Sequence, residues 1–156
     1  MSIEKIIVDH ISTILKKYSD KADSMKMICT GHSLGAAIAA IGAISTKIFF
    51  PKLSILVHNY GQPRVGNKQF ADFMSTKLDG IYRVVHNKDI VPHAPPDLPE
   101  FNYHHAAYEI FFNEDLTVYK TCNSSGEDIT CSNKFFPKYE RSDHDHYFMH
   151  ISQVQC

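Results

Sequence analysis

Tryptophan is absent from the 156 residues, glycine and proline occur only seven times each, and 16 Lys+Arg stand against 17 Asp+Glu for a formal net charge of -1. The low glycine and proline content excludes collagen-like and low-complexity chains. The charge balance leaves no basic stretch able to track a phosphate backbone, so nucleic acid is not an expected partner. Long hydrophobic runs are missing as well. The longest uncharged apolar stretch, residues 34–44, ends in Ser45-Thr46-Lys47 and falls short of the roughly 18 residues that a membrane span needs. The opening Met1-Ser2-Ile3-Glu4-Lys5 carries an early acid and no apolar run closed by small residues, so no signal peptide is expected in this chain. With 44% hydrophobic and 21% charged residues, the chain is near the average for a globular protein with one sizeable core.

Four cysteines are present and differ in setting. Cys29 lies in an apolar, strand-like run, which suits a buried thiol with no reactive role. Cys122 and Cys131 bracket the polar segment 123–130 and have the look of a disulfide staple. Cys156 is the last residue and has no evident partner, which in a secreted protein points to a mate elsewhere. Asn123-Ser124-Ser125 is a glycosylation sequon, a triplet that also arises by chance. Together these features lean towards an oxidising compartment.

Hydrophobic periodicity orders the chain. Apolar residues recur at three and four over residues 3–18, predicting an amphipathic helix. Residues 25–30 read as a short buried strand, and 34–48 as a helix apolar on most faces, which predicts burial all round. A second strand over 53–59, a second amphipathic helix over 68–78 and a third strand over 81–86 complete a β-α-β-α-β alternation. That order predicts parallel strands joined by right-handed helical crossovers. Beyond Asn87, Pro92, Pro95, Pro96 and Pro99 break regular structure. Two further strands, 106–112 and 116–121, have hairpin spacing and make the expected sheet mixed. No element is predicted between 122 and 143.

The sequence Gly31-His32-Ser33-Leu34-Gly35 stands where a predicted strand ends and a helix begins. A bare G-x-S-x-G arises by accident in about one chain of this length in twenty. The strand-turn-helix context is much rarer and is what a nucleophile elbow requires. Glycine at 31 and 35 is expected on steric grounds, since flanking side chains would collide in a tight, strained turn. A serine needs a base, and the base an orienting carboxylate, in the chain order Ser, acid, His. Asp89 directly follows the third strand, at the carboxyl edge where Ser33 sits, whereas Asp79 precedes that strand and Asp97 lies farther along the loop. Of the ten histidines, His104, His105, His144, His146 and His150 all lie downstream, and spacing alone does not rank them. Gly61 to Asn67 follows a strand and opens a helix, but it lacks phosphate-loop spacing, so a shaped connection is the simpler reading.

Four ordered motifs, Gly31-His32-Ser33-Leu34-Gly35, the Gly61–Asn67 segment, the Asn87–Pro92 segment and Asp143-His144-x-x-Tyr147-Phe148, resemble those of the class three, fungal-type triacylglycerol lipases of the α/β-hydrolase superfamily. Ser33 and Asp89 lie 56 residues apart, and Asp89 and His144 55, close to the family spacing. The resemblance selects His144 as general base, because it follows the aspartate of the D-H-x-x-Y-F pattern, and leaves His146 on a variable position. It implies ester hydrolysis on lipid-like substrates at a lipid–water interface, with Ser33 as nucleophile, Asp89 orienting His144, and the backbone N–H of Leu34 donating to the oxyanion. No metal or cofactor is implied. The family carries a staple like Cys122/Cys131 and pairs its final cysteine with one near the start of the domain.

In that family the second oxyanion donor and the lid lie upstream of the serine, yet the 32 residues before Ser33 already read as one helix and one strand. The expectation is therefore an N-terminally incomplete α/β-hydrolase domain over 1–156, with a mostly parallel sheet, an unpaired edge at the 25–30 strand and an extracellular full-length form. The alternative is a truncated, catalytically incomplete lipase-like product that binds or is inactive. A metal-binding reading, drawing on His104, His105, His144, His146 and His150 with Asp143 or Asp145, lacks helix-spaced or thiolate ligand patterns.

Overall fold

A computed structural model describes residues 2–100 and 102–148; Cys156 and His150 lie outside the described residues. The first helix, α1 (Ile3–Lys17), begins where the Ser2 hydroxyl accepts the Lys5 N–H at 3.2 Å and carries Glu4 in its first turn and Lys16 and Lys17 in its last, each complementing the helix dipole. The alternation then runs β1 (Lys26–His32), α2 (Leu34–Phe49), β2 (Ser54–Tyr60), a two-residue β3 (Gly66–Asn67), α3 (Lys68–Lys77) and β4 (Gly80–His86). Asn67 caps α3 by accepting the Phe70 N–H at 2.9 Å. A short β5 (Tyr103–His104) precedes the hairpin strands β6 (Glu109–Phe112) and β7 (Tyr119–Thr121).

The main sheet has the order β1-β2-β4-β6-β7. Its first three pairings are parallel and the last antiparallel, which is the mixed sheet that the patterning predicts. Among the described residues β1 pairs only with β2 and leaves one edge free. β3 and β5 form a separate antiparallel ribbon that no periodicity announces, because two residues are too few to show a period.

The core lies between the sheet and α2 and α3, with Ile55 and Val57 of β2 against Ala40, Ala43 and Ile44 of α2 and Ala71 and Met74 of α3. Alanine on the inward face of α2 lets the helix settle close to the strands. Burial all round does not follow: Leu34 and Ile38 are 69% and 62% exposed, and Ile41 and Ile48 are exposed too. Among the described residues α1 is the helix that partly covers that outer face. It has no buried residue of its own, and it reaches the core through the half-buried Ile11 and Leu15. Between α1, α2 and β1 lies an apolar groove of about 400 Å³, lined by Ile3, Ile7, Val8, Met27, Cys29, Ile38 and Ile41.

Polar groups buried behind the carboxyl edge fix the irregular second half. Arg83 of β4 is fully buried opposite its register partner Glu109 at 3.8 Å, and it donates to the carbonyls of Ala106 and Gly126. Arg64 forms a fork with Glu127, both bonds 2.7 Å, and its remaining nitrogen donates to the carbonyls of His93 and Pro95. His93 stacks on Tyr139 with ring centres 3.9 Å apart. Burial, and next the nearby Arg64 charge, lower its pKa from 6.5 to about 4. Burial acts likewise on His105, whose ring donates to the Pro92 carbonyl at 2.6 Å. Burial alone would raise the Glu127 carboxyl, but the Arg64 hydrogen bonds and charge hold it well below the usual range.

Ile55→Ala, at a site with no exposure, is expected to cost roughly 2–5 kcal/mol in urea unfolding. Ile28→Ala, on the exposed face of β1, should stay within about 0.5 kcal/mol. Because the folded-state pKa of His93 is depressed, the unfolded chain takes up its proton first, and stability should fall as the pH drops from about 6.5 towards about 4. Glu127 adds a loss only below the ordinary carboxylate range. The slope of unfolding free energy against pH, compared with that of His93→Gln, measures the histidine share.

Candidate active site

Ser33 ends the turn between β1 and α2 and caps the helix with φ 57° and ψ -130°. A left-handed φ at a non-glycine residue costs on the order of 1–3 kcal/mol and persists only where surroundings enforce it. Here the Ser33 N–H is held by the Tyr60 carbonyl at 3.1 Å, and the Ser33 carbonyl takes the N–H groups of Ala36 and Ala37. Gly31 is required: a Cβ there would lie 2.4 Å from the Gly35 carbonyl oxygen and 2.7 Å from the Ala36 nitrogen. Gly35 is not, since a Cβ at that position meets no heavy atom within 4 Å among the described residues. The steric argument for two flanking glycines therefore holds on the strand side only, because the start of α2 passes over Gly31 while Gly35 faces outward. Leu34 is the first residue of α2, so its N–H has no acceptor within the helix.

Asp89 follows β4, three residues beyond its carboxyl end, and has no exposed surface. Its Oδ1 accepts the Val91 N–H at 2.8 Å, and its Oδ2 accepts His144 Nδ1–H at 2.9 Å and the Tyr147 hydroxyl at 2.5 Å. His144 is 5% exposed and sits in a 3₁₀ turn over Ser142–Asp145. The turn is tied to the end of β4 by Asp143, whose Oδ2 accepts from Asn87 Nδ2 at 2.9 Å and the Lys88 N–H at 3.0 Å. His32, from the elbow, lies against the His144 ring with centres 4.4 Å apart and donates Nε2–H to the His144 carbonyl at 2.8 Å. Burial lowers the His32 pKa, which favours the neutral ring beside His144. Burial and the Asp89 charge push the Tyr147 hydroxyl well above 10, so it remains a donor.

Ser33, Asp89 and His144 thus come to one edge of the sheet from three separate segments, and no hydrogen bond joins Ser33 Oγ to His144 among the described residues. His144 Nε2, the ring nitrogen opposite the Asp89 bond, has no partner there either. His104 donates to the Ser125 carbonyl, His105 to the Pro92 carbonyl and His146 to the Ser142 carbonyl, so none of them meets Asp89. Asp79 lies at the other end of the sheet, accepting the Ile55 N–H at 2.8 Å.

Two groups escape a motif-by-motif reading. Gly61, at φ 55°, lies directly behind the pair: a Cβ there would stand 2.9 Å from both Asp89 Oδ2 and the His144 ring. The Gly61–Asn67 segment is a shaped connection, and its first residue also makes room for the site. Tyr147 was visible as the tyrosine three places after His144, but its bond to the acid needs the fold to be seen.

The described residues bring Asp97, His104 and Glu127 within 4.8 Å of one another, and likewise Glu109, Cys122 and Cys131. Neither is an open ligand set. Glu127 already accepts Arg64, the His105 N–H and Asn133 on its two oxygens, and the two cysteine sulfurs are joined in a disulfide. The histidines proposed as imidazole donors do not form one ligand group among the described residues.

The profile of the class 3 lipases matches residues 1–98. A lipase of Rhizopus oryzae is 32% identical over 158 residues, covering 99% of this chain and 39% of that protein. A secreted mono- and diacylglycerol lipase of Fusarium solani is 40% identical over 101 residues, covering 61% of this chain and 29% of that protein. The solved structure of the Rhizomucor miehei lipase propeptide complex superposes with a TM-score of 0.81 at 33% identity, over 91% of this chain and 45% of that one. The chain therefore spans less than half the length of these relatives. Its mostly parallel sheet flanked by helices is the α/β-hydrolase architecture expected from the sequence, and the chain belongs to the class 3 lipase family.

Proposed function

We propose that residues 1–156 belong to a single hydrolase domain of a serine esterase that cleaves carboxylic esters of lipids. The observation that carries this reading is the buried Asp89–His144 pair, 2.9 Å apart, at the same strand edge as a serine held at φ 57°. In the proposed cycle Ser33 Oγ attacks the ester carbonyl carbon while His144 Nε2 takes the hydroxyl proton. Asp89, bonded to Nδ1, fixes the tautomer and stabilises the imidazolium. Charge that develops on the carbonyl oxygen faces the Leu34 N–H at the N-terminus of α2; a donor so placed is worth on the order of 3 kcal/mol. The intermediate collapses, the alcohol leaves with the proton from His144, and the acyl group stays on Ser33. Water, deprotonated by His144, then releases the acid and restores the serine.

Exposed Leu34, Ile90 and Phe148 lie on the segments that carry the three residues. An apolar rim of this kind supports action at a lipid–water interface. The Cys122–Cys131 disulfide and the likeness to a secreted relative support an extracellular setting.

Ser33→Ala is expected to abolish hydrolysis of a short-chain chromogenic ester, a loss on the order of a million-fold for a working nucleophile. A serine-directed phosphonate should label Ser33 in the parent chain, located by peptide mass. A folded chain that neither labels nor turns over would remove this reading in favour of the incomplete, inactive alternative. Tyr147→Phe deletes one donor to a buried carboxylate and should lower kcat roughly 10- to 100-fold. An unchanged KM and a shifted acid limb of the pH–rate profile would mark Tyr147 as positioning the acid; a parallel loss of folded protein would mark it as structural.

A further inference from the structure

Asn123 is the one asparagine of the sequence followed two places on by serine or threonine. The proposed hydrolysis leaves it unused. It opens the loop closed by the Cys122–Cys131 disulfide, directly after β7, the last strand of the main sheet among the described residues. Most polar groups of this loop are turned inward. The Asn123 N–H donates to Asp128 Oδ2 at 2.9 Å, Asp128 Oδ1 takes the Thr130 N–H at 2.8 Å, and the Ser125 and Gly126 carbonyls accept from His104 and the buried Arg83.

The Asn123 side chain is not tied inward. It is exposed, and its Oδ1 accepts the Ser125 N–H at 2.9 Å. That bond occupies the carboxamide oxygen and leaves Nδ2 without a partner among the described residues. Ser124 and Ser125 are exposed beside it, so neither core nor neighbouring backbone covers the amide.

We propose that Asn123 is the acceptor of an N-linked oligosaccharide, an inference that rests on the extracellular reading. The donor class is a lipid-diphosphate-linked oligosaccharide presented by a transferase. Asn123 Nδ2 forms a bond to the sugar C1, the bond from C1 to the phosphate oxygen breaks, and the lipid diphosphate leaves with its electron pair. The amide proton passes to a base of the transferase. Nothing is oxidised or reduced. The adjacent disulfide strengthens the assignment, because it forms in the compartment where such transfer takes place.

The test is to direct the full chain through a eukaryotic secretory pathway behind a cleavable leader and read the mass of the peptide that contains Asn123. Treatment with a glycan-releasing amidase, which leaves aspartate in place of a glycosylated asparagine, follows. Expected is a hexose and N-acetylhexosamine mass on Asn123 that the amidase removes, lost in Asn123→Gln and Ser125→Ala and kept in Ser124→Ala and Ser125→Thr. Reading occupancy on the chain inside microsomes makes the result independent of whether a variant folds well enough to leave. A bare Asn123 in a chain whose Cys122–Cys131 disulfide has formed would overturn the site and leave the extracellular reading standing. A bare Asn123 with both thiols reduced would overturn both.

Discussion

A carboxylate taken out of water loses several kcal/mol of hydration unless hydrogen bonds replace it, and Asp89 is buried without any exposed surface. Three donors make up the loss: the Val91 N–H, His144 Nδ1–H and the Tyr147 hydroxyl. Two of the three come from a segment more than fifty residues farther on, which carries the 3₁₀ turn at Ser142–Asp145. The demand of one buried charge thus draws the chain near its end back over the carboxyl edge of the sheet. Asp143, bonded to Asn87 and Lys88, clamps the same segment a second time. The site and the tertiary closure of the second half are one set of contacts.

That closure also depends on small residues placed where chain segments nearly touch. Gly31 lets the start of α2 cross the end of β1, and Gly61 lets the turn after β2 pass behind Asp89 and His144. Both glycines allow the elements that carry Ser33, Asp89 and His144 to pack as closely as they do, since a methyl group at either point would displace them.

The first half of the fold was legible because period and punctuation agree there: each α-helix and each main-sheet strand through His86 was expected within a few residues of its observed bounds, whereas the two-residue β3 was not. Ser33 and Asp89 were legible for the same reason, each standing directly after a strand. His144 was not, since six histidines lie downstream of the acid and only the family resemblance singles it out. The region from 122 to 143 shows no periodicity because a disulfide, the Arg64–Glu127 fork and side chains bonded to backbone hold it, and such contacts leave no repeating pattern. Composition misled in one place. A helix rich in alanine and isoleucine reads as buried on every side, yet α2 turns Ala40, Ala43 and Ile44 towards the sheet and leaves Ile38, Ile41 and Ile48 outward.

The attachment of α1 has a consequence for how the molecule opens. With no buried residue and only Ile11 and Leu15 reaching the core, this helix is held by far less apolar contact than α2 or α3. Its hydrogen bonds break in an opening much cheaper than global unfolding. Amide protons of α1 therefore exchange with solvent through detachment of the helix alone, while those of β2 and β4 wait for the whole sheet to come apart. The apolar groove under α1 is the seam along which the helix is expected to part from the sheet.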